Sequence, residues 1–214
     1  YTKIIKVGKN MTSLRSRGRP RKASKAQIVE NAMALYWHDG LATRSLNELC
    51  RQLEVSKPGL YREFGGEDGL IADCLTLYAQ ISKNAFEAII SDNQPFHVQL
   101  TGFIDQIFTF HDQFPQGCLL MQASREQRVL GPASLDVLQS AGASFFKMVH
   151  SWVRSAQERG DIASNFSTDV TSYLILAQIH SVHSGLAGGL AKKLVRELTD
   201  LSLYAVLPSA QRLH

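Results

Sequence analysis

The chain of 214 residues contains little cysteine. Its three cysteines, Cys50, Cys74 and Cys118, are widely spaced and form no C-x-x-C pair. This spacing excludes a disulfide framework and a cysteine-based zinc site. Scarce, unpaired cysteines are typical of the reducing cytoplasm, where we expect this protein to be. Cys118 follows Gly117 at the start of a predicted helix. Because a helix dipole can activate a thiol there, a redox-sensing role stays open.

The sequence also lacks long apolar runs and groups of catalytic residues. Its apolar runs are interrupted by Gln, His or Ser, well short of the ~20 residues that a membrane span needs. His180 and His183 are three residues apart on a predicted helix without an acidic partner, which is too little for a metal site. No nucleophile, base and orienting group can be placed together. We therefore predict no membrane partner, no cofactor, no metal site and no catalytic residue.

Positive charge is present, and it is concentrated at the N-terminus. Residues 1–30 contain nine Lys and Arg residues and one acid, whereas the whole chain has a net charge of only +4. A local basic patch is typical of a surface that binds a polyanion, although a solvated tail would carry its charge in the same way. We expect residues 1–23, the basic arm, to be partly disordered. Its candidate contacts to nucleic acid are Arg15, Arg17, Arg19, Arg21 and Lys22.

Serine residues mark the starts of three short helices after the arm. Ser24 with Gln27, and Ser45 with Glu48, match the capping-box pattern, and Ser56 can cap a third helix. Apolar residues follow each serine at helical spacing. Two short helices joined by a tight turn form a helix-turn-helix unit, whose second helix can enter the major groove of DNA. A three-helix bundle without a ligand would show the same pattern.

Several motifs in this region occur in a characteristic order. They are Gly40 after the first helix, Ser45-Leu46 at the start of the second, the run from Val55 to Tyr61 leading to Phe64, and Asp68-Gly69-Leu70 at the start of a fourth helix. Together they resemble the DNA-binding domain of the TetR family, also called AcrR-type, of bacterial transcriptional regulators. The resemblance implies an all-α fold of about nine helices. It also implies a helix-turn-helix domain over residues 24–66, followed by a domain over residues 67–214 that binds an effector and forms a homodimer through its last two helices.

The resemblance further implies roles for single residues. Tyr61 matches a tyrosine that contacts a DNA phosphate, and Ser45 lies at a helix N-terminus that favours an anion. The predicted DNA-binding residues outside the arm are Arg44, Ser45, Ser56, Lys57, Pro58, Gly59, Tyr61 and Arg62. Three residues depart from the family pattern. Arg44 replaces a threonine, Glu63 stands where an aromatic residue or histidine is common, and Glu67 replaces a lysine that binds phosphate.

Helical patterns continue through the rest of the chain. After a helix that begins at Glu67 and breaks at Asp92, the predicted segments are Phe96 to Asp112, Cys118 to Val129, Ala133 to Arg159, Asp169 to Leu186 and Leu190 to Val206. Candidates for an effector pocket are Phe103, Ile107, Phe110, His111, Met121, Phe145, Met148, Trp152, Tyr173 and His180. Ordinary core packing would place the same residue types at the same spacing.

The resemblance to the TetR family therefore implies a homodimeric repressor. It is expected to bind double-stranded DNA at a pseudo-palindromic operator and to be released by an unidentified small-molecule effector. Two alternatives stay open. One is a DNA-binding protein that tolerates many sequences, and the other is a regulator that responds to thiol oxidation at Cys118.

Overall fold

A computed structural model of the protein describes residues 23–90, 94–114, 116–162 and 166–203, and within these ranges it is all-α. The described residues form nine α-helices, which confirms the predicted fold class. They are α1 (Lys25–Asp39), α2 (Leu46–Gln52), α3 (Lys57–Phe64), α4 (Glu67–Ile90), α5 (Phe96–Gln113), α6 (Leu119–Arg125), α7 (Pro132–Glu158), α8 (Thr168–Ala187) and α9 (Lys192–Leu203). The candidate contacts of the basic arm, Arg15 to Lys22, lie outside the described residues.

Contacts divide the described chain into two compact units. The first contains residues 23–82 and 119–141, and the second contains residues 83–114, 116–118, 142–162 and 166–203. The predicted domain boundaries divide the chain by function, and they stay predictions.

The three predicted serine caps are present. The hydroxyl oxygens of Ser24, Ser45 and Ser56 each accept a hydrogen bond from the backbone amide three residues later, at 3.2, 3.3 and 3.1 Å. Each serine has extended backbone angles, as an N-cap residue should. Glu48 does not complete its capping box by returning to Ser45, because its carboxylate accepts hydrogen bonds from Arg51.

The core of the first unit joins α1 to α4. Trp37 of α1 meets Tyr78 of α4 edge to face, with the ring centroids 4.9 Å apart. The buried thiol of Cys74 donates to the carbonyl oxygen of Val29 at 3.5 Å. These contacts pack α1 against α4.

One predicted segment needs a correction. The sequence suggested a single helical segment from Cys118 to Val129, whereas the structure has α6 and then a separate 3-10 turn, Gln127–Val129. The break falls at Glu126, whose amide is shared between two carbonyl oxygens of α6 at 3.0 and 3.2 Å. Its side chain is bonded to the loop between α1 and α2.

Aromatic rings form the centre of the second unit. Phe86 meets Phe103, Phe145 and Trp152 edge to face, with centroids between 5.1 and 5.5 Å apart. The indole nitrogen of Trp152 donates to Gln99 at 2.6 Å, so its polar atom is satisfied inside the core.

Candidate nucleic-acid interface

Helix α3 has one buried face and one free face. Leu60 and Phe64 are buried, and Tyr61 is 56% exposed. Because successive helical residues are rotated by about 100°, Arg62 lies opposite the buried pair. Lys57 and Pro58 are also exposed. The predicted recognition residues therefore lie on the free face of α3 and its flanks.

The two serines predicted to meet DNA already have a structural role. Ser45 and Ser56 accept a hydrogen bond from an amide at the start of α2 and of α3. Each hydroxyl still has one proton to donate. A helix N-terminus also carries partial positive charge. Each serine can thus cap its helix and donate to an anion at the same time.

Glycines at the end of α3 place the Tyr61 ring. Gly65 ends α3 with a left-handed φ of 75°, and its amide donates to the carbonyl oxygen of Tyr61. Gly66 follows with φ of 136°, and a Cβ atom there would lie 3.4 Å from the ring of Tyr61. The ring therefore rests against bare backbone.

The connection between α3 and α4 is equally close. A Cβ atom on Gly69 would lie only 1.8 Å from the carbonyl oxygen of Phe64. Only glycine permits this approach, so Gly69 fixes α3 directly against the first turn of α4.

Arg44 differs from the other predicted DNA contacts because it has partners within the protein. Its guanidinium donates to the Asp39 carboxylate and to the Gln52 side chain, and only 18% of the Arg44 side chain is exposed. This arrangement ties the end of α1 to the end of α2.

The Asp68 carboxylate caps the start of α7 from α4. It accepts backbone amides of Gly131, Ala133 and Ser134 at 3.0, 2.9 and 3.1 Å, and also the Ser134 hydroxyl. The intervening residue, Pro132, has no amide proton to offer. A Cβ atom on Gly131 would lie 2.5 Å from the carboxylate, so the close approach requires glycine. Burial alone would raise the pKa of Asp68, but the hydrogen bonds from Ser134, Ala133 and Gly131 together lower it.

Glu126 makes a second link of this kind. Its carboxylate accepts the amides of Leu41 and Ala42, both at 3.0 Å, in the loop between α1 and α2. These roles of Asp68 and Glu126 could not be recognised from the sequence, because their partners are 63 to 85 residues away along the chain.

Glu67, which departs from the family pattern, points into the protein rather than standing free. It is half-buried, and the hydroxyl of Tyr36 donates to its carboxylate at 3.5 Å. Burial raises the pKa of Glu67, and the hydrogen bond from Tyr36 opposes that shift. Burial, with a smaller effect of the Glu67 charge, raises the pKa of Tyr36.

The predicted pocket residues do not form one group. The structure places five of them in or against the aromatic core of the second unit: Phe103, Ile107, Phe145, Met148 and Trp152. Phe110 is buried and stacks on Phe114 at 4.9 Å. Met121 belongs to the first unit.

The two pocket candidates on α8 are on the surface. Tyr173 is 63% exposed and His180 is exposed as well. His111 of α5 is half-exposed, and burial followed by the charge of Lys192 lowers its pKa. In the described ranges, His/Cys/Asp/Glu side chains do not gather in threes as a metal ion would require. The described helices include none that could cross a membrane.

Comparison with known proteins identifies the family. Residues 28–74 match the model of the bacterial regulatory proteins of the tetR family. The chain is 28% identical over 155 residues to the transcriptional repressor ComR of Escherichia coli K12, which covers 69% of this chain and 72% of ComR. The DNA-binding segment of the chain is thus of the TetR type. The matched segment runs from α1 into α4 and so contains the whole of α2 and α3.

Other TetR-family proteins resemble this chain over most of its length. The regulator UidR of Escherichia coli K12 is 24% identical over 179 residues, which cover 81% of this chain and 85% of UidR. A cysteine mutant of the TetR-family regulator CifR, solved with 26-bp operator DNA, has a TM-score of 0.73 at 19% identity, covering 88% of this chain and 100% of that one. The protein is thus a DNA-binding transcriptional regulator with the TetR fold.

Proposed function

We propose that this TetR-family protein is a homodimeric repressor that binds a pseudo-palindromic operator and that a small-molecule effector releases it. The observation that supports DNA binding is the free face of α3. Tyr61 and Arg62 are exposed there, beside two helix starts that are capped by serine. ComR is named a repressor, and CifR was solved with an operator duplex. Both relatives support the same role here.

Contacts to the backbone and to bases are assigned to different residues. Tyr61, Ser45 and Ser56 donate hydroxyl protons to phosphates. Lys57 and Arg62 reach base edges and backbone from the free face of α3, where Pro58 and Gly59 leave room for the duplex. Arg44 acts as a positioning residue, because Asp39 and Gln52 already hold its guanidinium.

Selection of bound sites from random duplexes tests this proposal. A repressor of this kind should select two half-sites roughly 34 to 36 Å apart, one turn of DNA. Tyr61→Phe should then weaken binding to every duplex by a similar factor, whereas Arg62→Ala should relax the preference at particular base pairs. Comparable affinity for selected and random duplexes would instead support a sequence-tolerant DNA-binding protein.

The basic arm provides a second test on DNA. Deleting residues 1–22 removes Arg15, Arg17, Arg19, Arg21 and Lys22, and so should reduce the slope of log affinity against log salt concentration. An unchanged slope would mean that the arm releases no counterions and does not contact the duplex.

The homodimer is supported by a second apolar face on α9. Val195 and Leu203 are buried against the chain, whereas Leu194, Leu198 and Leu201 are exposed, Leu201 by 74%. An amphipathic helix needs only one apolar face to pack in its own subunit, so the other favours a partner. Val170 and Tyr173 of α8 are also exposed, and we assign both helices to a two-fold interface.

Charge on this face should separate the subunits. We expect Leu198→Asp to give a monomer in sedimentation experiments. It should also weaken operator binding by at least tenfold, because two linked DNA-binding domains bind more tightly than one. Val98→Asp, at an exposed valine of α5, is the matched control and should remain dimeric. A dimeric Leu198→Asp protein would contradict the assignment.

An effector site in the second unit is supported by buried polar atoms that have no hydrogen-bond partner among the described residues. These are Nδ1 of His97 and His111, Oε1 of Gln106 and Oγ1 of Thr171. An unsatisfied buried polar group costs about 1–3 kcal/mol, and a polar ligand would satisfy some of them. Compounds that raise the melting temperature and also release labelled operator DNA would identify the effector. Compounds that do one without the other would argue against effector control.

The second candidate is control by oxidation of Cys118. Cys118 is half-exposed, and a Cβ atom on the preceding Gly117 would lie 3.8 Å from Nδ1 of His183. Cys118 directly precedes α6, and a helix N-terminus can favour the reactive thiolate. If Cys118→Ser leaves the oxidant sensitivity of operator binding unchanged, this candidate fails.

A further inference from the structure

Glu63 is an acidic residue on an exposed flank of α3. Leu60 and Phe64 define the buried face of the helix, and the rotation of about 100° per residue places Glu63 on one flank of Arg62 and Tyr61 on the other. The Glu63 carboxylate lies 3.6 Å from Nε of Arg62, and the two side chains are 46% and 68% exposed. Glu63 is therefore within reach of whatever Arg62 meets.

The described residues give Glu63 little other bonding. Lys25 lines the same depression beside α3, but its ammonium group pairs with Asp73 at 2.8 Å and lies over the Phe64 ring. In the described part of the chain, the ion-pair partner of Glu63 is Arg62. Since Arg has five N–H donors, Arg62 can keep this contact and still donate to a base.

A carboxylate in this position restricts what it can bind. It is repelled by DNA phosphates, and it can only accept hydrogen bonds. In the major groove the donors are the amino groups of cytosine and adenine, and adenine presents its N7 acceptor next to that amino group. The N7 atom would repel a carboxylate. Cytosine N4 is thus the base-edge group that suits Glu63.

We propose that Glu63 determines operator specificity by accepting a hydrogen bond from the N4 amino group of a cytosine. The proposal rests on the proposed function, because it requires α3 to lie in the major groove. Consecutive Cα atoms are about 3.8 Å apart, close to the roughly 3.4 Å between base pairs. The cytosine therefore lies in the base pair that Arg62 contacts or in an adjacent one. Arg62 itself suits guanine O6 and N7.

Site selection with variants at residue 63 tests the proposal. The wild-type protein should select a C·G pair at one position of each half-site, and Glu63→Ala should lose the preference at that position alone. Glu63→Gln should change the preference from cytosine to adenine, because an amide can pair with both N6 and N7. The control Glu54→Gln removes the same charge from the same depression beside α3 and should keep the wild-type site.

An atomic substitution in the DNA provides an independent readout. Replacing the selected cytosine with 2-pyrimidinone removes only the 4-amino group. We expect the wild-type protein to lose affinity by about 10- to 150-fold, the range for one hydrogen bond to a charged group, and Glu63→Ala to lose less than about twofold. Glu63→Ala should also bind random duplex more tightly than the wild type, because a repulsive charge has gone.

The outcomes separate this inference from the proposed function. If the wild-type protein selects no site, the operator-binding proposal fails and the inference fails with it. If the wild-type protein selects a site and Glu63→Ala selects the same one, operator binding stands and the role of Glu63 is overturned. Equal losses on 2-pyrimidinone for both proteins would also overturn it.

Discussion

Removing the Asp68 carboxylate should destabilise the first unit more than any other single charge removal on α4 or α7. Asp68→Ala leaves the amides of Gly131, Ala133 and Ser134 without their acceptor. Ala133 is exposed, so water can replace the carboxylate there, but Ser134 is fully buried. Loss of one helix cap costs about 0.5–2 kcal/mol and loss of a charged hydrogen bond about 1.5–3 kcal/mol. We expect a loss of roughly 2–3 kcal/mol in the free energy of unfolding.

Urea unfolding followed by far-UV circular dichroism measures this loss. The matched control is Asp136→Ala, which removes an exposed carboxylate from the first turns of α7, the helix that Asp68 caps, and should cost no more than about 0.5 kcal/mol. Equal losses for the two variants would refute the reasoning. Gly131→Ala adds a second check, since the atoms nearest to its Cβ atom are those of the Asp68 carboxylate. It should destabilise the wild-type protein but have little further effect in Asp68→Ala.

The contribution of Asp68 should depend on pH in a definite direction. Its pKa is lower in the folded protein than in the unfolded chain, so the unfolded state binds the proton more readily. The stabilisation is therefore complete above the unfolded pKa of about 3.9 and is lost as the pH falls through the lower folded pKa. The difference between the wild type and Asp68→Ala should be constant from pH 5 to 7 and shrink below about pH 4. A difference that grows on acidification would contradict this.

Three further substitutions give clear expectations. Glu126→Ala leaves the amide of buried Leu41 without an acceptor and should lower the free energy of unfolding by about 1–3 kcal/mol, with faster hydrogen exchange in the loop between α1 and α2. Gly69→Ala places a Cβ atom against backbone and should cost more than about 3 kcal/mol, whereas Gly102→Ala, which meets open space in α5, should raise the melting temperature. Trp152→Phe removes the donor to Gln99 and should cost about 1–3 kcal/mol in urea unfolding.

Local chemistry made the helix starts predictable. Ser24, Ser45 and Ser56 could be identified as caps because a cap depends on atoms within three residues of each other. The free face of α3 followed from the positions of Leu60 and Phe64 and from helical periodicity.

Long-range contacts were not predictable in this way. The link from Glu126 to Leu41 joins residues 85 apart, and nothing in either local sequence indicates the other. The same limit applies to the effector pocket. Tyr173 fits a helical apolar pattern, but its 63% exposure depends on which face of α8 packs inward, and only tertiary structure decides this.

The serine caps limit which substitutions this regulator can tolerate at Ser45 and Ser56. Binding surfaces often trade stability for activity, because groups aimed at a ligand do not serve the fold. At Ser45 and Ser56 one oxygen atom starts a helix and also faces the proposed phosphate. Aspartate at either position would keep the cap but repel DNA, so binding can be abolished there without unfolding the protein. Alanine would remove both the cap and the hydroxyl, so selection for a stable helix also preserves the hydroxyl that we assign to the duplex.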